Sequence, residues 1–213
     1  MALQERLRVK VIAGKAPRLA QVKTVAGLDV CYSKATDMCY AAVVVMRLRD
    51  LRVIEEATAA ARSTFPYVPG LLSFREAPPL IAALRRLRCE PDVLLLDAQG
   101  RAHPRRFGLA SHLGVLYDWP TVGCAKTRLC GAHNDPGPRR GDWAALLDEN
   151  TGETIGSVLR TRDAVNPVFV SVGHRVTDAF ARRLVLAVTP RCRLPEPLRR
   201  AHILSNDLRR LYE

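Results

Sequence analysis

Val93-Leu94-Leu95-Leu96-Asp97-Ala98-Gln99-Gly100-Arg101-Ala102-His103-Pro104-Arg105-Arg106 is the stretch from which the rest of the chain is read. Four apolar residues in a row, introduced by Pro91-Asp92, have the length of a strand buried on both faces. The run stops at a carboxylate, a glycine turn, a histidine and an arginine pair. An acidic residue at the carboxyl end of a buried strand sits where the sheet stops and a ligand can be met. Beyond it, apolar positions from Arg105 to about Asp118 recur at helical intervals. Carboxylate, imidazole and cations within one short segment suit metal-assisted chemistry on a phosphate ester. The plainer alternative is an Asp97 that caps a turn beside solvated arginines.

Working outward, Thr24–Tyr32, Cys39–Leu48 and Val53–Arg62 are expected as three antiparallel strands joined by short turns. Ala2–Val22 is expected as an N-terminal helix, broken at Gly14 or Pro17. Ser73 and Glu76 have the spacing of a capping box opening a helix through Arg88, with Pro78 and Pro79 in its first turn. Thr121–Lys126, Glu153–Arg160 and Val168–Gly173 are further strands. His133–Arg140 is an exposed loop, and Thr177–Val188 a helix behind a threonine cap. A basic tail follows from Thr189, with a last short helix led by Pro195 and Pro197. The pattern predicts one α/β domain over residues 1–213, a mixed β-sheet flanked by helices.

The charge balance narrows the partners. Lys+Arg of 33 against Asp+Glu of 21 gives a net charge of +12, which favours a polyanion such as nucleic acid. The six cysteines form no C-x-x-C pair, no secretory signal opens the chain, and no apolar run approaches the ~20 residues of a membrane span. A soluble, cytoplasmic monomer with free thiols is expected.

Asp29 interrupts an apolar strand, where an unpaired carboxylate would cost several kcal/mol. It needs a cation, a metal or backbone donors. With Asp97 and Glu76 it makes a set of carboxylates suited to Mg²⁺, although capping is a rival role for Glu76. His103 and His174 both sit near strand ends, where each has a structural alternative. Lys126 closes a strand, as a phosphate-binding cation or as a snorkelling edge residue. Pro66-Tyr67-Val68-Pro69 is a stiff aromatic finger, either a wedge for a base stack or a loop packed on the core.

Four blocks together resemble the endonuclease V family: Pro66 to Glu76, His103 to Gly114, Gly123-Cys124-Ala125-Lys126, and Asn166-Pro167 with Gly173-His174-Arg175. They stand in the family's order over roughly residues 24 to 197. The resemblance implies an RNase H-like fold and a Mg²⁺-dependent endonuclease, with Mn²⁺ as a substitute. It implies recognition of deoxyinosine and other deaminated or mismatched bases in DNA by base flipping, and a nick at the second phosphodiester 3′ to the lesion. By position, Asp29, Glu76 and Asp97 resemble the metal ligands, His174 a further active-site residue, and His103 and Lys126 neighbours of the scissile phosphate. Tyr67 resembles the wedge tip between Pro66 and Pro69. Gly70, Leu71, Leu72 and Ala98 would line the base pocket, with Arg105 beside the substrate. One departure stands out: Asp97 is followed by Ala98, where the family typically has glycine, so a narrower pocket is expected. Inosine-containing RNA, branched DNA cut by another RNase H-like nuclease, and a non-cutting lesion binder are the rival readings. A nucleophile elbow or P-loop for transferase chemistry is absent from the sequence. All of this requires Asp29 and Asp97 to lie close enough to share one ion.

Overall fold

The computed structural model describes residues 2–33, 35–66, 68 and 70–213. Its centre is the predicted buried strand. β4 (Val93–Leu96) has all four side chains buried, alternating between two hydrophobic layers. Val93 and Leu95 face one layer with Val25, Val122, Leu184 and Leu198, while Leu94 and Leu96 face the other with Leu28, Leu80 and Leu113.

Around β4 runs one eight-stranded sheet, ordered β3-β2-β1-β4-β5-β8-β7-β6. The strands are β1 (Thr24–Tyr32), β2 (Met38–Arg47), β3 (Val53–Arg62), β5 (Thr121–Ala125), β6 (Trp143–Leu147), β7 (Thr154–Leu159) and β8 (Val168–His174). β1–β2–β3 is the expected antiparallel meander, β4 is parallel to both β1 and β5, and β8 returns antiparallel to β5. Helices α2 (Leu72–Leu84) and α3 (Leu109–Tyr117) cover one face, and α4 (Asp178–Ala187) and α5 (Glu196–Tyr212) the other. This is the expected α/β class, a mixed sheet flanked by helices.

Several elements differ from expectation. The N-terminal helix is short: α1 (Ala2–Arg8) is followed by irregular chain and a 3₁₀ turn at Leu19–Gln21. The intervening backbone is drawn to β8 instead, with Arg175 N–H donating to Ile12 O at 2.7 Å and Ala13 bridging Val176. α2 opens at Leu72 and ends at Leu84, so Pro78 and Pro79 lie inside it rather than in its first turn. β6 was not expected; its two central alanines and half-exposed Trp143 mute the strand pattern.

The last helix is the largest difference. α5 spans 17 residues and buries Leu198, Ala201 and Ser205 along one stripe. That stripe is narrow and set among arginines, so the sequence looks like a tail. Gly27 explains its seat: a Cβ there would meet the Pro197 carbonyl at 2.2 Å, so glycine lets the start of α5 press onto β1.

Candidate active site

β1 and β4 are adjacent and parallel, with Leu28 opposite Leu96. The next residues along the two strands are Asp29 and Asp97, and the Asp97 N–H donates to Leu28 O at 3.1 Å. Neighbouring strands lie ~4.8 Å apart. Leu28 and Leu96 share the α2/α3 layer, so strand alternation turns both aspartates to the α5 side. The two aspartates therefore leave neighbouring strand ends on the same side of the sheet.

α5 supplies the partners on that side. Ser205 Oγ donates to Asp29 Oδ2 at 2.8 Å, and His202 Nδ1 lies 3.1 Å from the same oxygen. His202 was not among the expected residues. Its half-exposed imidazole nevertheless stands where the two aspartates meet. The only available signal was its place on the buried-edge side of α5, one residue after Ala201, which the tail-like composition hid.

Glu76 reaches the same corner from α2. It is buried inside the helix rather than at its cap, whose position is held by Leu71 without a side-chain bond. Its carboxylate accepts the Tyr32 hydroxyl instead, so the capping-box role fails. Burial, with Asp29 and Asp97 adding repulsion, pushes Glu76 up to about 8. Asp97 is also raised, by burial first, although its ion pair with Lys126 opposes the shift. Among the described residues, no three acidic, imidazole or thiol side chains already converge tightly enough to cage an ion. Asp97 is engaged by Lys126 and Glu76 by Tyr32. The donor set itself suits a hard dication: carboxylate oxygens, buried and mutually repelling.

Lys126 is held from behind. Arg193 Nη2 donates to the Lys126 carbonyl at 2.7 Å and to Pro167 O at 2.9 Å, while its Nε donates to Asn166 O at 2.9 Å. This part of the basic tail is packed. Beside Asp97 opens a cavity of about 240 Å³ lined by Gly70, Leu72, Ala98, Gln99, His103 and Leu109, among others. Leu71 is not part of that lining. His103 Nδ1 accepts from Arg105 N at 3.1 Å, and burial, then the charges of Arg105 and Arg106, lower it to about 4. It is therefore a neutral imidazole with Nε2 carrying the proton. Arg105 Nη1 donates to Gly70 O at 3.1 Å. Pro66 is exposed; Tyr67 and Pro69 lie outside the described residues, and with them the expected wedge tip.

His174 is a correction. It pairs with Thr121 at the start of β5, the opposite end of the sheet from Asp97. Its Nδ1 accepts from Ile12 N at 3.2 Å and its Nε2 lies 3.0 Å from Asp118, which Arg175 also clamps. With both ring nitrogens engaged, it fixes the N-terminal segment and takes no part in the site.

The family model described as Endonuclease V matches residues 5–203. A protein named Endonuclease V from Nocardia farcinica is 52% identical over 201 residues, covering 94% of this chain and 87% of that one. The crystal structure of Endonuclease V from Streptomyces avermitilis superposes with a TM-score of 0.94 at 46% identity, covering 100% of this chain and 92% of that one. Endonuclease V from Ciona intestinalis, solved with a 24mer DNA containing an inosine followed by a ribo-adenosine, gives a TM-score of 0.87 at 28% identity, covering 100% and 97%.

Proposed function

Because the chain belongs to the endonuclease V family, we propose that it is a DNA-repair nuclease that flips deoxyinosine out of the duplex and nicks the second phosphodiester 3′ to it. The observation that carries this reading is the meeting of Asp29, Asp97 and Glu76 at one strand-end corner, beside a cavity. Ligand pockets generally run ~300–1,000 Å³, so a cavity of about 240 Å³ suits a single flat heterocycle.

Asp29, Asp97 and Glu76 would hold Mg²⁺, with Mn²⁺ as a substitute. When bound, the ion supplies an activated water and neutralises charge on the leaving oxygen. Around it the chain's own groups divide the work. Lys126 presents a positive charge to a phosphate oxygen. His103, neutral, borders the cavity without adding charge. His202 and Ser205 hold Asp29 in orientation, and the exposed side of the imidazole meets solvent. Leu72, Leu109 and Ala98 give the cavity apolar walls against which a base can pack. Other deaminated or mismatched bases are poorer occupants, and the enzyme works as a monomer.

A nicking assay on a deoxyinosine duplex, with and without Mg²⁺, tests this. Metal-dependent products mapped to the second 3′ phosphodiester are expected; cleavage equal on undamaged duplex would overturn the reading. Inosine-containing RNA is the second reading, favoured by the ribo-adenosine in the Ciona intestinalis complex. Running inosine RNA in the same assay separates the two.

A further inference from the structure

α1 exposes most of its surface, Leu3 included, and its buried residue is Gln4, which has no accessible area at all. Burying an amide is costly unless its polar atoms find partners. Gln4 Nε2 donates to Gly70 O at 3.0 Å and to Phe107 O at 3.3 Å, while its Oε1 has no partner. The helix is thus attached through an incompletely satisfied polar side chain, where an apolar anchor would suffice for packing alone.

What Gln4 joins gives this arrangement a purpose. Gly70 directly follows the proline-rich segment 66–69 that the sequence marks as a finger, and Phe107 ends the loop carrying His103 and Arg105. Gly70 has φ +76, and a Cβ there would meet Arg105 Nη1 at 2.8 Å. Its carbonyl therefore collects donors from both sides, Gln4 from the N-terminal helix and Arg105 from the loop. Gly70 and His103 both border the cavity.

The geometry points to Gln4 as a positioning residue that locks the base of the finger to the His103 loop. Resting on the nuclease reading above, this makes the N-terminal helix part of the device that opens a duplex. A finger whose base is free to shift by a fraction of an ångström enters a base stack poorly. A single strand has no partner to displace and does not need the finger held.

Gln4→Leu and the more adaptable Gln4→Met test this in the full-length protein, measured with deoxyinosine in duplex and in single-stranded oligonucleotides. KM for duplex is expected to rise about tenfold, with kcat at saturation and single-strand cleavage within about twofold of the parent. An equal loss on both substrates, or no loss on either, overturns the proposal. Amide hydrogen exchange, read on the same variants without DNA, is expected to speed up at 70–74 and 105–108 but not in α5. Unchanged exchange overturns the placement of Gln4 even if the parent protein cuts neither oligonucleotide, an outcome that would sink only the nuclease reading.

Discussion

The two ends of the sheet each carry an imidazole against an aspartate, at 3.1 Å for His202–Asp29 and 3.0 Å for His174–Asp118. In the first pair the carboxylate is buried and the imidazole half-exposed; in the second the burial is reversed. Asp118 is already neutralised by Arg175, which holds it below the usual carboxylate range together with His174. Asp29 instead adds to the repulsion that raises Glu76 and Asp97. One pair is a closed electrostatic account and ties down chain. The other leaves negative charge in excess, the condition under which a dication is attracted. Pair geometry alone does not tell them apart; the surrounding charge does.

Removing one carboxylate from each end should break the symmetry most sharply. Asp97→Ala is expected to lower cleavage by ~10³-fold or more, several kcal/mol of transition-state stabilisation. Asp118→Ala should leave kcat nearly unchanged and lower Tm. Comparable losses of activity in both variants would erase the distinction. The imidazoles come next. His202→Ala should reduce kcat by ~10–100-fold, as for other residues that orient a ligand, with little change in Tm. His174→Leu should do the reverse, costing about 1 kcal/mol or more for the Ile12 N–H left without its acceptor.

His112 sharpens the comparison as an imidazole with no carboxylate. Packed against Phe74 and Phe107, with Nδ1 unpaired, it is lowered by burial to about 4. As pH falls, the unfolded chain takes up its proton near 6.5 while the folded protein refuses it until about 4. Its stabilising contribution is thus intact above about 6.5 and lost as pH falls toward about 4, on the order of 3 kcal/mol in all. Denaturant titrations across that window should show a shallower slope for His112→Leu, leaving His103 with the same sign. The smallest effect concerns the cavity wall: Ala98→Gly should raise kcat/KM on deoxyinosine DNA by roughly two- to tenfold, the low end for one methyl group in a pocket. An unchanged rate would mean the methyl does not touch the base.

The central sheet was legible because its signals are strong and local. β4 is four apolar residues bounded by Pro91-Asp92 and Asp97, and β1 and β2 are apolar stretches with short turns between them, Val43-Val44-Val45 the clearest part. The carboxylates were legible for the same reason, since an acid in or at the end of such a run has few structural excuses. His174 misled because Gly173-His174-Arg175 follows a buried strand, as a site residue would, yet the antiparallel return of β8 carries its end to the wrong pole. His202 was missed because α5 is polar overall: its arginines outweigh a narrow, though regular, buried stripe, so the segment looks like a basic tail. Gln4 carries no signal in sequence at all: its importance lies in two carbonyls 66 and 103 residues away.

The seat of α5 on Gly27 has a kinetic consequence. Asp29 meets its partners His202 and Ser205 across 173 and 176 residues of chain, contacts with a high loop-closure cost. Because α5 follows β1, β4 and β8 in the chain, a polypeptide synthesised only as far as β8 holds its acidic strands without the partners of Asp29, and the corner is complete only once α5 docks.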